Sequence, residues 1–261
     1  MARATDHDED AKKGKSAVPS VEKAFDILEL LANVGDGLTM NEMVDVLGRT
    51  MGEIYRIVIY LTERGFLSQN PETSKYALTL KLFEMSHRHD PTARLISRAL
   101  PLLERIAAAT EQSCHLGVLN GSNILVLASV ASPRPAGYAV RTGAFFPVER
   151  TSSGHVILAF SNAATQRRTL AEAYDPSLRA RFAAIRAQGF EDTPSTMITG
   201  VRNLCVPVFD SRGITAAITT GYISQADPKA SAEDTLAALR AAALELSESL
   251  GFRVSDSGPT P

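Results

Sequence analysis

A short run of small polar residues directly before an apolar helical segment is the clearest candidate for ligand chemistry in this sequence. Its members are Thr151, Ser152, Ser153 and Gly154. Hydroxyl groups, free backbone N–H groups and the positive end of a helix would converge there, and together they suit a small anion such as a carboxylate. The same residue types also cap helices without binding a ligand, so simple capping is the alternative interpretation.

Two other groupings of side chains could do chemistry. Ser153 and His155 lie two residues apart, and Asp192 or Asp210 could be the third member of a catalytic triad. The sequence has no Gly-x-Ser-x-Gly elbow, which disfavours an enzyme. The run His87-Arg88-His89-Asp90 carries metal-ligating groups. Because no Cys or Glu cluster accompanies it at metal-site spacing, we expect neither a metal nor a cofactor.

The composition is that of an ordinary globular protein. The 261 residues are 44% hydrophobic and 21% charged, with a formal net charge of −2, which excludes disordered, collagen-like and coiled-coil classes. The charge gives no pointer to nucleic acid, so any DNA-binding surface must be a local patch. The sequence shows neither a bilayer-spanning stretch nor a secretion signal, so we expect a cytoplasmic protein with no membrane partner. Cys114 and Cys205 lie in apolar runs, which predicts two buried thiols.

The N-terminal region has the pattern of three helices and a hairpin. A first helix is predicted from Ser20 as its cap, a second from Thr39, and a third from Thr50, and two strands with a turn follow over 66–80. The predicted buried stripe of the first helix is Val21, Ala24, Phe25, Leu28 and Leu31. This order is typical of a winged helix-turn-helix, whose third helix enters the DNA major groove. A small helical domain that packs on a protein partner is the alternative.

The rest of the chain predicts a connecting helix and a mixed domain. Residues 81–110 favour one long linking helix, with Pro91 and Pro101 marking a break or restart. The strands predicted after it are 114–119, 124–130, 138–142, 203–209 and 214–223, and the helices are 153–161, 166–173, 177–188 and 232–250. This pattern indicates an α+β domain around an antiparallel sheet. The polar segments 1–17 and 253–261 predict disordered tails.

Three segments resemble the IclR-type bacterial transcription regulators. The first is LTMNEMVDVLG (38–48), followed by IYR (54–56) and LTERGFL (61–67). The second is FPVERTSSGHVILAF (146–160), and the third is GFED (189–192) with GVRNLCVPVFD (200–210) and Gly213. The resemblance extends from about Val18 to Gly251, and its three parts occur in the family's order and spacing.

The resemblance implies a fold and an organisation. The expected fold is α+β, with a winged helix-turn-helix DNA-binding domain over 18–80, a linker helix region over 81–110, and a GAF-like effector-binding domain over 111–252. The family usually works as a homodimer or a dimer of dimers, and the resemblance implies no catalysis. The partners expected from it are double-stranded operator DNA and a small organic-acid effector.

The sequence also departs from the family pattern. Met51-Gly52-Glu53 stands where a polar start to the recognition helix is usual. An acidic Glu53 repels phosphate but could accept a hydrogen bond from cytosine, so it indicates either an unusual operator or weakened DNA binding. In the effector half, Arg150, His155 and Asn203 replace residues common in the family, and Ser195-Thr196 replaces an acidic pair.

The candidate DNA-binding residues lie on the third predicted helix and at the hairpin tip. They are Thr50, Met51, Gly52, Glu53, Tyr55, Arg56, Ser74 and Lys75. Arg56 is the strongest candidate because its guanidinium group can grip guanine or phosphate; the alternative is an ion pair with Glu53 or Glu42. Ser74 and Lys75 are expected to contact phosphates.

The candidate effector-binding residues are the polar run and two positions on sheet strands. They are Thr151, Ser152, Ser153, Gly154, Asn203 and Thr220, the last two implied by the family's pocket arrangement. We therefore expect a ligand-responsive transcriptional regulator. The alternative is a metabolite-sensing module that acts through a protein partner and has weak or lost DNA binding.

Overall fold

The computed structural model describes residues 18–88, 92–171 and 175–253. The chain divides into two compact units between residues 90 and 91. The predicted tail over 1–17, all but the first residue of the tail over 253–261, and the second half of the His87–Asp90 run lie outside the described residues.

The first unit has the predicted order of three helices and a hairpin. Its elements are α1 (Pro19–Ala32), α2 (Met40–Leu47), α3 (Met51–Glu63), β1 (Leu67–Gln69), β2 (Tyr76–Leu78) and α4 (Lys81–Arg88). The strands β1 and β2 are antiparallel, with Leu67 opposite Leu78. An isolated bridge joins Leu38 to Tyr76, so β2 also pairs with the segment before α2. The core of the unit lies where α1, α3 and the hairpin meet, and it includes Ile27, Leu31, Met43, Ile54, Val58, Leu61, Leu67 and Tyr76.

The first helix differs from the prediction in its start and in its buried face. It begins at Pro19 and has Val18 as its N-cap residue, so Ser20 does not cap it. Proline suits the first turn because its missing N–H would have had no partner there. Val21 and Phe25, which were expected to be buried, are exposed, whereas Leu31 is buried as predicted and Ile27, which lies outside the predicted stripe, is also buried.

The second unit is a six-stranded antiparallel sheet with helices on both faces. Its elements are α5 (Ala93–Thr110), β3 (Cys114–Asn120), β4 (Asn123–Val130), β5 (Phe145–Pro147), a 3-10 turn (Val148–Arg150), α6 (Ser152–Phe160), α7 (Ala163–Leu170), α8 (Pro176–Gln188), β6 (Glu191–Pro194), β7 (Val201–Asp210), β8 (Gly213–Ile223) and α9 (Ala232–Ser249). The strand order is β5-β4-β3-β8-β7-β6. The helices α5 and α9 pack on one face of the sheet, and α6 and α8 pack on the other. The predicted α+β class is therefore confirmed.

Two features of the second unit correct the predictions from sequence. Residues 138–142 form no strand, because the edge of β4 is taken by Gly143 and Ala144, which hydrogen bond to Val126. The helix α5 belongs to the core of the second unit, so residues 93–110 are not a free linker. Pro101 lies on the exposed side of α5 and does not interrupt it.

The two cysteines are buried and unpaired, as predicted. Cys114 faces the layer of α5 and α9, and Cys205 faces the layer of α6 and α8. Burial raises the pKa of Cys114 to about 12 and also raises the pKa of Cys205. Both thiols are therefore protonated at neutral pH and act as small apolar core groups.

Candidate functional site

The carboxylate of Glu53 is held by the first turn of its own helix. The amide of Thr50 donates to Glu53 Oε2 at 2.8 Å, and the Thr50 hydroxyl donates to the same oxygen at 2.9 Å. Lys23 on α1 donates to Glu53 Oε1 at 2.9 Å. The hydrogen bond from the Thr50 amide, followed by those from Lys23 and the Thr50 hydroxyl, lowers the pKa of Glu53 to about 2. The charge of Glu53 thus stabilises the start of α3 and its link to α1.

The solvent-facing side of α3 presents the other predicted residues. Ile54, Val58 and Leu61 are buried, whereas Thr50, Met51, Gly52, Tyr55 and Arg56 are exposed. Neither predicted structural partner of Arg56 is engaged with it, because Glu53 binds Thr50 and Lys23, and Glu42 binds Thr39. Arg56 therefore has a guanidinium group available to an external acceptor.

A groove of about 420 Å³ lies beside this face of α3. It is lined by Thr39, Met40, Asn41, Met51, Tyr55, Gln69, Ser74 and Tyr76. The fold therefore brings the start of α2, the start of α3 and the hairpin tip around one surface. Of the two predicted hairpin residues, Ser74 lines this groove and Lys75 does not.

The helix α6 begins at Ser152, one residue before the predicted start, and Thr151 is its N-cap residue. The Thr151 hydroxyl accepts a hydrogen bond from the Gly154 amide at 3.1 Å. The first turn of α6 has no acidic residue, and Arg150 precedes it. The amides of Ser152 and Ser153 lie in this first turn, where an α-helix offers no internal acceptor. This helix end therefore keeps a positive potential that no side chain of its own neutralises.

Gly154 has a packing role in this turn. A Cβ atom there would lie 2.0 Å from the carbonyl oxygen of Val148, which belongs to the 3-10 turn that precedes α6. Gly154 therefore allows α6 to approach that turn closely. It does not line the neighbouring cavity.

A narrow cavity of about 50 Å³ lies at the start of α6. It is lined by His115, Ile124, Tyr138, Val140, Phe146, Arg150, Thr151, Ser152, Ser153, Ser195, Thr196, Met197, Asn203 and Thr219. Four of the predicted effector-binding residues therefore lie together in this cavity: Thr151, Ser152, Ser153 and Asn203. Thr220 is not among them, because consecutive residues of β8 point to opposite faces of the sheet. Thr219 faces the cavity instead, and the placement of Thr220 in this site was wrong.

A chain of hydrogen bonds joins the cavity to the core. Ser153 Oγ lies 2.8 Å from Thr219 Oγ1, and the Thr219 hydroxyl donates to Cys205 Sγ at 3.0 Å. Both hydroxyl side chains are buried, and they fix the wall formed by α6 against β8. Gly117 lies beside this wall and allows the close approach of Ile124, since a Cβ atom there would lie 2.9 Å from the Ile124 side chain.

The charges around the cavity favour an anion. Burial lowers the pKa of His115 to about 4, so its imidazole is neutral at pH 7. Arg150 is exposed, and it forms no ion pair with any residue that the structure describes. Among these described residues, no carboxylate side chain lines the cavity. The lining therefore combines a cation, hydroxyl groups and helix-end amides, which is a donor set for a carboxylate.

The residues considered for catalysis are engaged elsewhere. His155 Nε2 donates to the carbonyl of Glu149 at 2.8 Å, and His155 Nδ1 lies 3.4 Å from Glu191 Oε2. Glu191 also accepts from Arg181. Asp192 pairs with Arg202 and Asp210 pairs with Arg212, so the imagined triad with Ser153 does not form. The described residues also hold no cluster of three metal-ligating side chains and no helix long and apolar enough to cross a membrane.

Two family models match this chain. The model of the bacterial transcriptional regulator IclR C-terminal domain matches residues 91–248, and the IclR helix-turn-helix domain matches residues 20–71. The chain belongs to the IclR family. This family consists of transcriptional regulators rather than enzymes, and an IclR-type chain combines a DNA-binding helix-turn-helix with a C-terminal effector-binding domain.

Curated relatives of this IclR-family chain are similar over most of their length. The transcriptional regulator KdgR of Dickeya chrysanthemi is 25% identical over 255 residues, which cover 93% of this chain and 83% of KdgR. The transcriptional regulator XynR of Escherichia coli K12 is 26% identical over 248 residues, which cover 90% of this chain and 98% of XynR.

Solved structures share the fold. An IclR homolog from Microbacterium hydrocarbonoxydans in complex with 4-hydroxybenzoate has a TM-score of 0.73 at 22% identity, covering 88% of this chain and 98% of that one. The IclR protein of Thermotoga maritima has a TM-score of 0.69 at 21% identity, with 89% and 99% coverage.

Several residues of the two surfaces were not predicted from sequence. In the first unit these are Thr39, Met40, Asn41, Gln69 and Tyr76. In the second unit the chief ones are His115, Tyr138 and Thr219. The sequence contains one indication for Asn41: it is a polar residue in the first turn of the helix that Thr39 is predicted to cap. No local pattern marks His115, because its contact with the cavity depends on the pairing of β3 with β8.

Proposed function

We propose that this IclR-family regulator binds double-stranded operator DNA through the exposed face of α3 and the hairpin tip. The observation that carries the proposal is the presentation of Met51, Tyr55 and Arg56 toward solvent beside the hairpin groove. Thr50 and Gly52 lie at the helix start, while Ser74 and Lys75 are proposed to contact phosphates. Glu53 is proposed to support the helix start rather than to read a base.

The DNA-binding proposal is tested by affinity selection with genomic fragments and the full-length chain. We expect one enriched motif whose binding is specific at physiological salt. Retention that is independent of sequence and vanishes at moderate salt would contradict the proposal and favour a sensor that acts through a protein partner.

We further propose that the second unit is a GAF-like domain whose effector is a small organic acid. The effector carboxylate would lie at the start of α6, against the amides of Ser152 and Ser153, with Arg150 at the mouth of the cavity. Asn203 and Thr219 would contact the rest of the molecule. The complex of the Microbacterium homolog with 4-hydroxybenzoate, itself a carboxylate, supports this class. Because the cavity is narrow, a ring of that size requires its walls to move apart.

A thermal-shift screen of small aliphatic and aromatic carboxylates tests the effector proposal. A ligand that binds the folded state raises the melting temperature in a concentration-dependent way. We expect Ser153→Ala to reduce the shift produced by the best acid, and to leave the DNA affinity of the ligand-free protein unchanged, since coupling requires the ligand. An equal shift in the variant would contradict this placement.

We also propose that the protein acts in the cytoplasm as a homodimer or a dimer of dimers. Exposed apolar side chains on the first unit support self-association: Val18, Val21, Phe25, Leu80, Leu82, Phe83 and Met85. Sedimentation equilibrium of the full-length chain tests this proposal. A monomer at micromolar concentration would contradict it.

The domain boundaries that we propose lie close to the boundary between the two compact units. The DNA-binding domain would extend over 18–80, and α4 would connect it to an effector-binding domain that includes α5 and ends near residue 252. The packing of α5 in the second core supports this limit. Limited proteolysis is expected to release a stable fragment that begins near residue 91, and cleavage within 111–113 would contradict the assignment of α5.

A further inference from the structure

The polar groups at the start of α3 are largely used within the first unit. Glu53 binds Thr50 and Lys23, and the Thr50 hydroxyl is the donor in one of those bonds. Gly52 has no side chain. The first two turns therefore offer few polar groups to a base edge, and the main ones are the guanidinium group of Arg56 and the hydroxyl group of Tyr55.

Two large side chains occupy the rest of that surface: the apolar chain of Met51 and the aromatic ring of Tyr55, which has a hydroxyl group at its tip. Met51 is 39% exposed and Tyr55 is 51% exposed. They are four residues apart on one helix, so they are neighbours on the same face. Burial in the unit's own core cannot explain these side chains, because Ile54, Val58 and Leu61 supply the core contacts of α3.

The surroundings of Met51 and Tyr55 suit a DNA strand. The groove that both residues line also carries the polar side chains of Thr39, Asn41 and Gln69. Polar walls of this kind can contact phosphate and sugar, whereas the Met51 side chain and the Tyr55 ring match the 5-methyl group of thymine, which is the apolar feature of the major groove.

We propose that Met51 and Tyr55 are specificity-determining residues that recognise thymine methyl groups next to the base or phosphate bound by Arg56. The proposal rests on operator binding through α3, as proposed above. It assigns specificity at these positions to apolar contact rather than to hydrogen bonds from the first turn of the helix.

The test uses a sequence selected from a random duplex library by the full-length protein. Each thymine of that sequence is replaced in turn by deoxyuridine, which removes the methyl group and leaves the pairing edge unchanged. At one or more positions we expect the affinity to fall about three- to fivefold, the value of one buried methyl group. The variant Met51→Ala or Tyr55→Ala should no longer distinguish thymine from deoxyuridine at that position.

The controls separate this inference from the wider DNA-binding proposal. Val46→Ala truncates an exposed apolar side chain on α2 outside the groove, and should keep full discrimination. Melting temperatures verify that each variant is folded. The inference is overturned if every deoxyuridine probe binds as tightly as the thymine probe, or if discrimination survives both alanine variants. A selection that enriches no sequence contradicts operator binding itself.

Discussion

The helices α3 and α6 both begin after a threonine, but their N-termini are occupied differently. In α3 the carboxylate of Glu53 binds Thr50, so the positive end of the helix is neutralised from within. In α6 the first turn has no acidic residue, and Arg150 adds a positive charge beside it. This difference supports the proposal that α3 presents its side to DNA, whereas α6 presents its N-terminal end to a small ligand.

The two surfaces also differ in how they are enclosed. The α3 face is open and lies beside a groove of about 420 Å³, whereas the α6 end faces a cavity of about 50 Å³. A wide open groove suits a macromolecule, and a narrow cavity with both hydroxyl and apolar side chains in its lining suits a small molecule. In the proposed function the same element, a capped helix, would serve two kinds of recognition.

The largest expected effect on stability comes from replacing Gly154 in the first turn of α6, and Gly52 in the first turn of α3 provides the matched control. Gly154→Ala places a Cβ atom 2.0 Å from the Val148 carbonyl oxygen, whereas a Cβ atom at Gly52 meets nothing within 4 Å. We expect Gly154→Ala to lower the free energy of unfolding by about 3 kcal/mol. Gly52→Ala should raise it by about 0.5 kcal/mol, because alanine favours the helix. Chemical denaturation measures both, and equal stability of the two variants would show that α6 does not depend on this close approach.

The exposed arginines provide a reciprocal test of the two surfaces. Arg56→Ala should weaken specific DNA binding by about 1 to 3 kcal/mol without changing the melting temperature. Arg150→Ala should weaken binding of the organic acid and leave ligand-free DNA binding intact. Fluorescence anisotropy with operator DNA and calorimetry with the acid measure these effects. A large loss of thermal stability in Arg56→Ala would show that Arg56 is structural.

Adjacent threonines on β8 test which face of the sheet holds the cavity. Thr219 bonds to Ser153 and Cys205, so Thr219→Val should cost about 1 to 2 kcal/mol of stability and weaken acid binding. The Thr220 hydroxyl is buried and has no hydrogen-bond partner within the described residues. Thr220→Val should therefore keep or increase stability. If Thr220→Val weakened acid binding more than Thr219→Val, the assigned face would be wrong.

The smallest expected effect concerns the pH dependence of the first unit. The folded pKa of Glu53 is about 2, below the ordinary value of 4.5. Its stabilising contribution is thus present above about pH 4.5 and is lost as the pH falls toward 2. Glu53→Gln keeps an acceptor for the Thr50 amide but removes the titrating charge, and should have a melting temperature that falls less across this window than that of the wild type. Parallel melting profiles would show that Glu53 does not stabilise α3.

The α3 face could be predicted from the sequence, while the cavity could be predicted only in part. A helix surface repeats every 3.6 residues, so the apolar spacing of Ile54, Val58 and Leu61 also marks the opposite face. The same reasoning failed for α1, where Phe25 looked apolar enough to be buried but is exposed. Periodicity identifies a stripe, but it does not say which part of the stripe the neighbouring helices cover.

The cavity depends on contacts that are distant in the chain. Alternation along β8 shows that Thr219 and Thr220 face opposite sides, but the sequence does not say which side holds the cavity. That choice follows from the packing of α6 on the sheet, which sets Ser153 against Thr219. The cap of α6 is local, so the sequence narrowed it to Thr151 or Ser152, and the structure shows that it is Thr151.

The central claim, that the start of α6 binds a carboxylate, is tested most directly by calorimetric titration of the full-length protein with matched pairs of compounds. Each pair is an acid and its neutral amide, beginning with 4-hydroxybenzoate and 4-hydroxybenzamide. Because the donors at this site favour negative charge, we expect the acid to bind at least about tenfold more tightly than the amide, a ratio that should shrink in Arg150→Ala. Equal or tighter binding of the amides, or an acid preference unchanged in Arg150→Ala, would contradict the claim.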